Sequence, residues 1–230
     1  CTFITTINPT APAVVNANDV MVIMINSDTS VADTIQALAE TALTGWVDLV
    51  NEGLTTTRAR RAMYRICDGT EDSASLTVTA TFTAGGANRR VHANTFLFSG
   101  SGSGLIDTSS GGANTGTSTS AALAALTTTL ANQLGIGLVW ANNSTTLSSA
   151  TGETGYDWVE AAAEDNATNS TIGVQTVSMA ASGTVGGSPV VTLGASGTWK
   201  TFVFALKELV VAAGAILPVR SPIFSHHIFR

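Results

Sequence analysis

The chain has 230 residues, 44% of them apolar and only 11% charged, the reverse of the charge-rich, core-poor composition of disordered chains. That length suits one large all-β domain or two small ones and is enough to bury a substantial core. A net charge of −6 and a pI near 4.9 count against nucleic acid as a main ligand, because phosphate binding needs a basic field.

Lysine occurs only at Lys200 and Lys207, glycine 22 times, and threonine, serine, alanine and valine dominate the rest. A polar surface of Thr, Ser and Asn fits secreted or virion β-proteins better than cytosolic enzymes. No apolar run reaches the roughly 18 residues of a helical membrane span, and "ELVVAAGAILPV" at 208–219 stops at Pro218. A chain that opens on Cys1 in place of Met reads as trimmed or processed. Cys67 reads as a buried free thiol; pairing with Cys1 requires the amino terminus to fold back beside it.

In chain order, "NANDVMVIMINSDTS" (16–30) carries the near-continuous apolar run of a central strand covered on both faces. "TSVADTIQALAETALTG" (29–45) predicts a short helix. Val31, Ile35, Leu38 and Ala42 share one face, Ser30 caps it and Gly45 stops it. Strands follow at "LTGWVDLV" (43–50), "RRAMYRICDG" (60–69), "SLTVTATFT" (75–83) and "HANTFLFSG" (92–100). In "SLTVTATFT" the residues Leu76, Val78, Ala80 and Phe82 alternate with Ser and Thr. The stretch "SGSGSGLIDTSSGGANTGTSTS" (99–120) reads as a linker pinned across the fold by Leu105 and Ile106. "SAALAALTTTLAN" (120–132) suits a helix or an extended segment, the threonine run favouring the latter.

The second half repeats the first. "LANQLGIGLVWANNS" (130–144), "ETGYDWVE" (153–160), "STIGVQTVSM" (170–179), "PVVTLGASG" (189–197) and "TWKTFVFAL" (198–206) match the five strand segments in the same order. Trp46 and Tyr156 each follow Thr-Gly, and "TFLF" answers "TFVF". The expected fold is all-β: an antiparallel, jelly-roll-like β-sandwich over 1–207 made of two pseudo-repeats (about 14–100 and 128–207) with one short inserted helix. Beyond it, 208–230 forms a C-terminal arm. Its "LPVRSPIFSHHIFR" carries Ile223, Phe224, Ile228 and Phe229, which would bury themselves by strand addition on a neighbouring subunit or along the chain's own domain.

The strand "VMVIMI" after Asn18 and Asp19, "TGWVDLV" at 44–50, Tyr64, "FLFSGSGSGLID" at 96–107 and "TTTLANQLGIGLVW" at 127–140 together resemble a family of phage and bacterial surface proteins. Its members read roughly GDLLVAVV…PAGWTLV…YYKVA…AYRGVD…PID. The likeness spans about residues 14–207. The usual Gly before Asp is here Asn18, Leu43 and Thr44 replace Pro-Ala before Gly45 and Trp46, and the helix over 31–42 is extra. The resemblance implies a jelly-roll-like sandwich of virion or adhesin proteins and concerns the fold more than any activity.

No constellation for chemistry emerges. His92 reads as a strand-edge residue, and His226 and His227 are adjacent and so point to opposite sides of a strand, unsuited to chelation. Asp48, Glu52, Asp157, Glu160, Glu164 and Asp165 are available for a glycosidase-like pair but read as solvated carboxylates. The loop "EDNATNST" (164–171) lacks calcium-loop spacing. Asn142, Asn143, Asn166 and Asn169 open glycosylation sequons. Arg58 and Arg60 share one strand face and Arg61 and Arg65 the other, a split cluster that reads as a solvated or interface face. Of the aromatics, Trp46 and Tyr156 read as core, and Trp158 is the candidate glycan-facing residue. We therefore expect no catalytic, cofactor or metal residues and a non-enzymatic, oligomeric protein of the virion surface or extracellular space. Its first assignment is a capsid decoration or cement subunit that contacts copies of itself and capsid or tail proteins. The alternative is a tail or cell-surface adhesin that binds glycans.

Overall fold

The computed structural model describes residues 3–29, 34–54, 56–83, 90–98, 106–152, 159–165, 170–185, 189–207 and 225–228. Every regular element among them is a strand, every pairing is antiparallel, and no helix is long and apolar enough to cross a membrane. The chain divides into two compact units, Cys1–Ser99 with Pro222–Arg230, and Gly100–Ser221.

The first unit holds β1 (Phe3–Ile7), β2 (Val20–Asp28), β3 (Ile35–Glu40), β4 (Val47–Glu52), β5 (Arg58–Ile66), β6 (Val78–Phe82), β7 (Arg90–Phe98) and β15 (Ser225–Ile228). One sheet runs β15-β7-β2-β5-β4, the other β1-β6-β3. Strand alternation turns Met21, Ile23 and Ile25 of β2, Ala59 and Met63 of β5, and Ala93 and Leu97 of β7 toward Ile7, Ile35, Leu38, Val78, Ala80 and Phe82 of the opposing sheet. Each large aliphatic or aromatic side chain fully buried there contributes about 1.5–3 kcal/mol. Val20, Val22 and Met24, on the other face of β2, are also fully buried, as the unbroken apolar run requires.

The helix expected over 31–42 is not formed in its described part: residues 35–40 are β3, and residues 30–33 lie outside the described residues. The three-residue spacing of Ile35 and Leu38 is real but has another cause. The register slips between Ile35 and Ala37, and a bulge there returns Leu38 to the face that Ile35 occupies.

The second unit holds β8 (Ile106–Ala122), β9 (Leu126–Thr128), β10 (Gln133–Ala141), β11 (Val159–Asp165), β12 (Thr171–Met179), β13 (Gly183–Val185) and β14 (Val190–Leu206). Its main sheet runs β11-β12-β10-β14-β8, and β9 pairs with β13. The order β11-β12-β10-β14 repeats β4-β5-β2-β7 of the first unit strand for strand. The small layer recurs as well. Val190–Thr192 of β14 is paired with Ser120–Ala122 of β8, and bridges join Leu147 to Leu193 and Thr151 to Val190, where β6 lies between β1 and β3 in the first unit. Val139, Val177, Val203 and Trp199 pack with Leu126, Val185, Val191 and Leu193 as this unit's own core. Both units are therefore antiparallel β-sandwiches built on one plan.

The expected linker is largely a strand. Residues 106–122 pair with β14, Ile106 lies opposite Leu206, and Asp107 is buried. The stretch lacks apolar alternation because β8 is an edge strand; Gly112 and Gly116 face Ala124 and the Trp199 ring so closely that a Cβ at either position meets them.

Candidate functional site

Strand β5 carries four arginines, and each has an acidic partner, three on neighbouring strands and one in the turn after β5. Arg58 pairs with Asp28 of β2 at 3.2 Å, Arg60 with Glu52 of β4 at 3.6 Å, and Arg61 with Asp48 of β4 at 2.7 Å. Asp28 and Glu52 are the direct cross-strand neighbours of Arg58 and Arg60. Arg61 binds Asp48 through two nitrogens and also donates to the Leu38 carbonyl of β3, which ties the two sheets of the unit together. Arg65 pairs with Glu71, both buried. Burial lowers the Arg60 pKa, with Glu52 opposing the shift. The cluster is thus split between faces, as the spacing implies, and each guanidinium is neutralised in place.

Two carboxylates absent from the sequence reading organise turns. Glu40, at the end of β3, accepts hydrogen bonds from the Ala42 N–H (2.7 Å), the Leu43 N–H (3.1 Å), the Thr77 N–H (2.9 Å) and the Trp46 indole Nε1–H (2.5 Å). It closes the 41–46 turn onto the start of β6, and Trp46 packs half-buried against the core. Glu71 accepts from the Asp68 and Gly69 N–H groups at 3.1 and 3.0 Å and binds Arg65. Backbone amides of turns carry no residue code, so only an acid beside a Gly-rich turn hints at these roles. In the second unit the Gln175 amide does similar work: it accepts from the Ala150 N–H and donates to the Ser148 carbonyl.

The remaining candidates disperse. Trp158, Tyr156, Asp157, Ile223, Phe224, Phe229, Asn166 and Asn169 lie outside the described residues. Ile228 falls in β15, whose register is Ser225 to Thr95, His226 to Asn94, His227 to Ala93 and Ile228 to His92. Of the two destinations open to the arm, this four-residue piece takes its own unit. His92 is not at a strand edge: β7 lies between β2 and β15, and His92 is buried opposite Asn26. On the same face of that sheet, Asn94 has no partner among the described residues for either amide atom, nor has Asn26 for Oδ1. Trp140 is fully buried, and Trp199 donates from Nε1 to the Ser118 hydroxyl at 3.0 Å. Asn143 is held by its Nδ2 donating to the Ala195 and Ser196 carbonyls.

Of the surveyed carboxylates, Asp48 and Glu52 face arginines, and Glu160 in β11 has its pKa raised by burial. Cys67 is a free, buried thiol pushed up to about 12 by desolvation, with the Glu71 charge adding to the shift. Among the described residues no group of three or more His, Cys, Asp or Glu side chains is arranged to hold a metal ion. No family model, curated protein or solved structure matches this chain.

Proposed function

We propose that this protein is a non-enzymatic structural subunit displayed on the outside of a phage-like particle, and that it decorates the capsid by bridging neighbouring subunits. The observation that carries the reading is where the charged side chains stand. Arg58, Arg60, Arg61, Arg65, Asp28, Asp48, Glu52 and Glu71 are joined in pairs, and Glu40 is bound to a turn. With those charges matched within the first unit, exposed small neutral residues such as Ala113, Thr115 and Thr117 are suited to outward contacts, because small neutral side chains approach another surface at low desolvation cost. The resemblance of "VMVIMI", "TGW" and "FLFSGSGSGLID" to phage and bacterial surface proteins supports the same class. Many copies on one particle would sum weak contacts into firm retention.

Labelling the protein on intact particles and imaging them tests the assignment, together with its stoichiometric retention on purified heads after tail removal. Sugar binding on a glycan array that disappears in Trp158→Ala, with no retention on heads, would replace decoration by the adhesin role.

A further inference from the structure

We propose that the free edge of β8 is a self-pairing surface: two copies of this chain join their second units by antiparallel pairing of β8 with β8 over residues 112–118. β8 is the last strand of its sheet, and among the described residues β14 is its partner there. The direction of its backbone groups follows from one bond. The Asn142 N–H donates to the Thr198 carbonyl at 2.9 Å, so the backbone of Thr198 turns toward β10. Antiparallel alternation then turns Lys200 and Phe202 the same way, and Trp199, Thr201 and Val203 toward β8. Their cross-strand partners are Gly116, Asn114 and Gly112. The N–H and C=O groups of Ala113, Thr115 and Thr117 consequently point away from β14, and these three residues are exposed.

Protected edges carry Lys, Pro, an internal bulge or a very short strand. Residues 112–118 have no charge and no proline, and their register to β14 is unbroken; the slips lie outside them, opposite Thr192/Gly197 and Val203/Ala205. The absence of charge also selects the occupant. In a two-fold interface each residue meets its own copy or that of a near neighbour, so any charge on the strand meets its like. Here the axis at Thr115 sets Thr115 against Thr115 and Ala113 against Thr117. Three hydrogen-bonded pairs of this kind exchange about six N–H···O bonds, and threonine beside threonine is a favourable cross-strand pair. The inference concerns β8 alone and holds whether or not the protein sits on a particle.

The test is the mass of the full chain by light scattering and sedimentation across a concentration series. The wild type is expected to dimerise, Thr115→Ser to dimerise like it, and Thr115→Lys to raise the dissociation constant tenfold or more with an unchanged circular dichroism spectrum. Should Thr115→Lys fail to fold, a Thr115→Cys variant in a Cys1→Ala, Cys67→Ala background gives an independent reading. Opposed residues of a hydrogen-bonded pair stand about 5.5 Å apart, within disulfide range, so this variant is expected to oxidise to a linked dimer while Thr119→Cys does not. A wild type that stays monomeric at several hundred micromolar, dimers indifferent to Thr115→Lys, or equal cross-linking at positions 115 and 119 each overturns the proposal.

Discussion

Thr95 in β7 and Thr201 in β14 hold the same place in the two units. Each is fully buried, and each lies opposite the central strand of its sheet, at Ile23 and Val139 respectively. Each sends its hydroxyl to a carbonyl in the N-terminal layer of its own unit: Thr95 to Thr10 at 3.4 Å, Thr201 to Ala122 at 2.7 Å. The threonine of the two "TF" strands is thus a tie between layers, and its recurrence explains why both strands begin alike. Thr201→Val removes the shorter bond and leaves the Ala122 carbonyl only the longer bond from Asn114 Nδ2 at 3.4 Å, so it is expected to cost about 1–2 kcal/mol in urea unfolding. Thr95→Val, which loses a longer bond, is expected to cost less. Equal, negligible losses at both positions would remove this role.

Glu40 serves four donors at once, so its removal is expected to damage more than one turn. Glu40→Ala leaves the Ala42, Leu43 and Thr77 amides without their acceptor and frees the Trp46 indole. A loss of about 2–4 kcal/mol in denaturant unfolding follows from bonds to a charged acceptor, accompanied by a red shift of tryptophan emission. Glu40→Gln keeps one oxygen acceptor and is expected to fall between the two.

Arg65 and Glu71 form a buried pair, and single removal leaves the other charge uncompensated. Arg65→Met alone is expected to destabilise by about 3–5 kcal/mol, whereas a change of both partners to apolar residues costs less than the sum of the two single changes. A double-mutant cycle in urea reads the coupling. Additive losses would show that the pair is not coupled.

Cys67 sets a pH dependence. Its thiol ionises near 9 when unfolded and at about 12 when folded. Below 9 both states hold the proton. Between about 9 and 12 only the unfolded chain releases it, so this residue's contribution to stability declines as pH rises through that window. Urea midpoints at pH 8, 10 and 11 are expected to fall more steeply for the wild type than for Cys67→Ala. The native thiol is also expected to resist aromatic disulfide reagents at pH 8 until the chain unfolds. Parallel pH profiles for the two proteins would contradict the shift.

The legible parts of the fold were those with a period or a repeat. β6 alternates Val78, Ala80 and Phe82 with threonines because one face meets the core, and β2 is apolar from Val20 to Ile25 because both faces are buried there. The matched segments, in their described parts, correspond to a strand order that the two units share. The segment at 29–45 misled because a strand with a bulge and a helix both place residues three apart on one side. Residues 106–122 misled because an edge strand packed through glycines needs no apolar code.

Composition and repetition alone determined that the chain is all-β, duplicated and sparing of charge, since strand periodicity and burial are local properties of residue order. Tertiary structure alone decided which acid meets which arginine, which carboxylate gathers the amides of a turn, and which strand ends a sheet. Those outcomes depend on register between segments distant in the chain. A one-residue slip sends every side chain to the opposite face, and no single segment encodes its own partner.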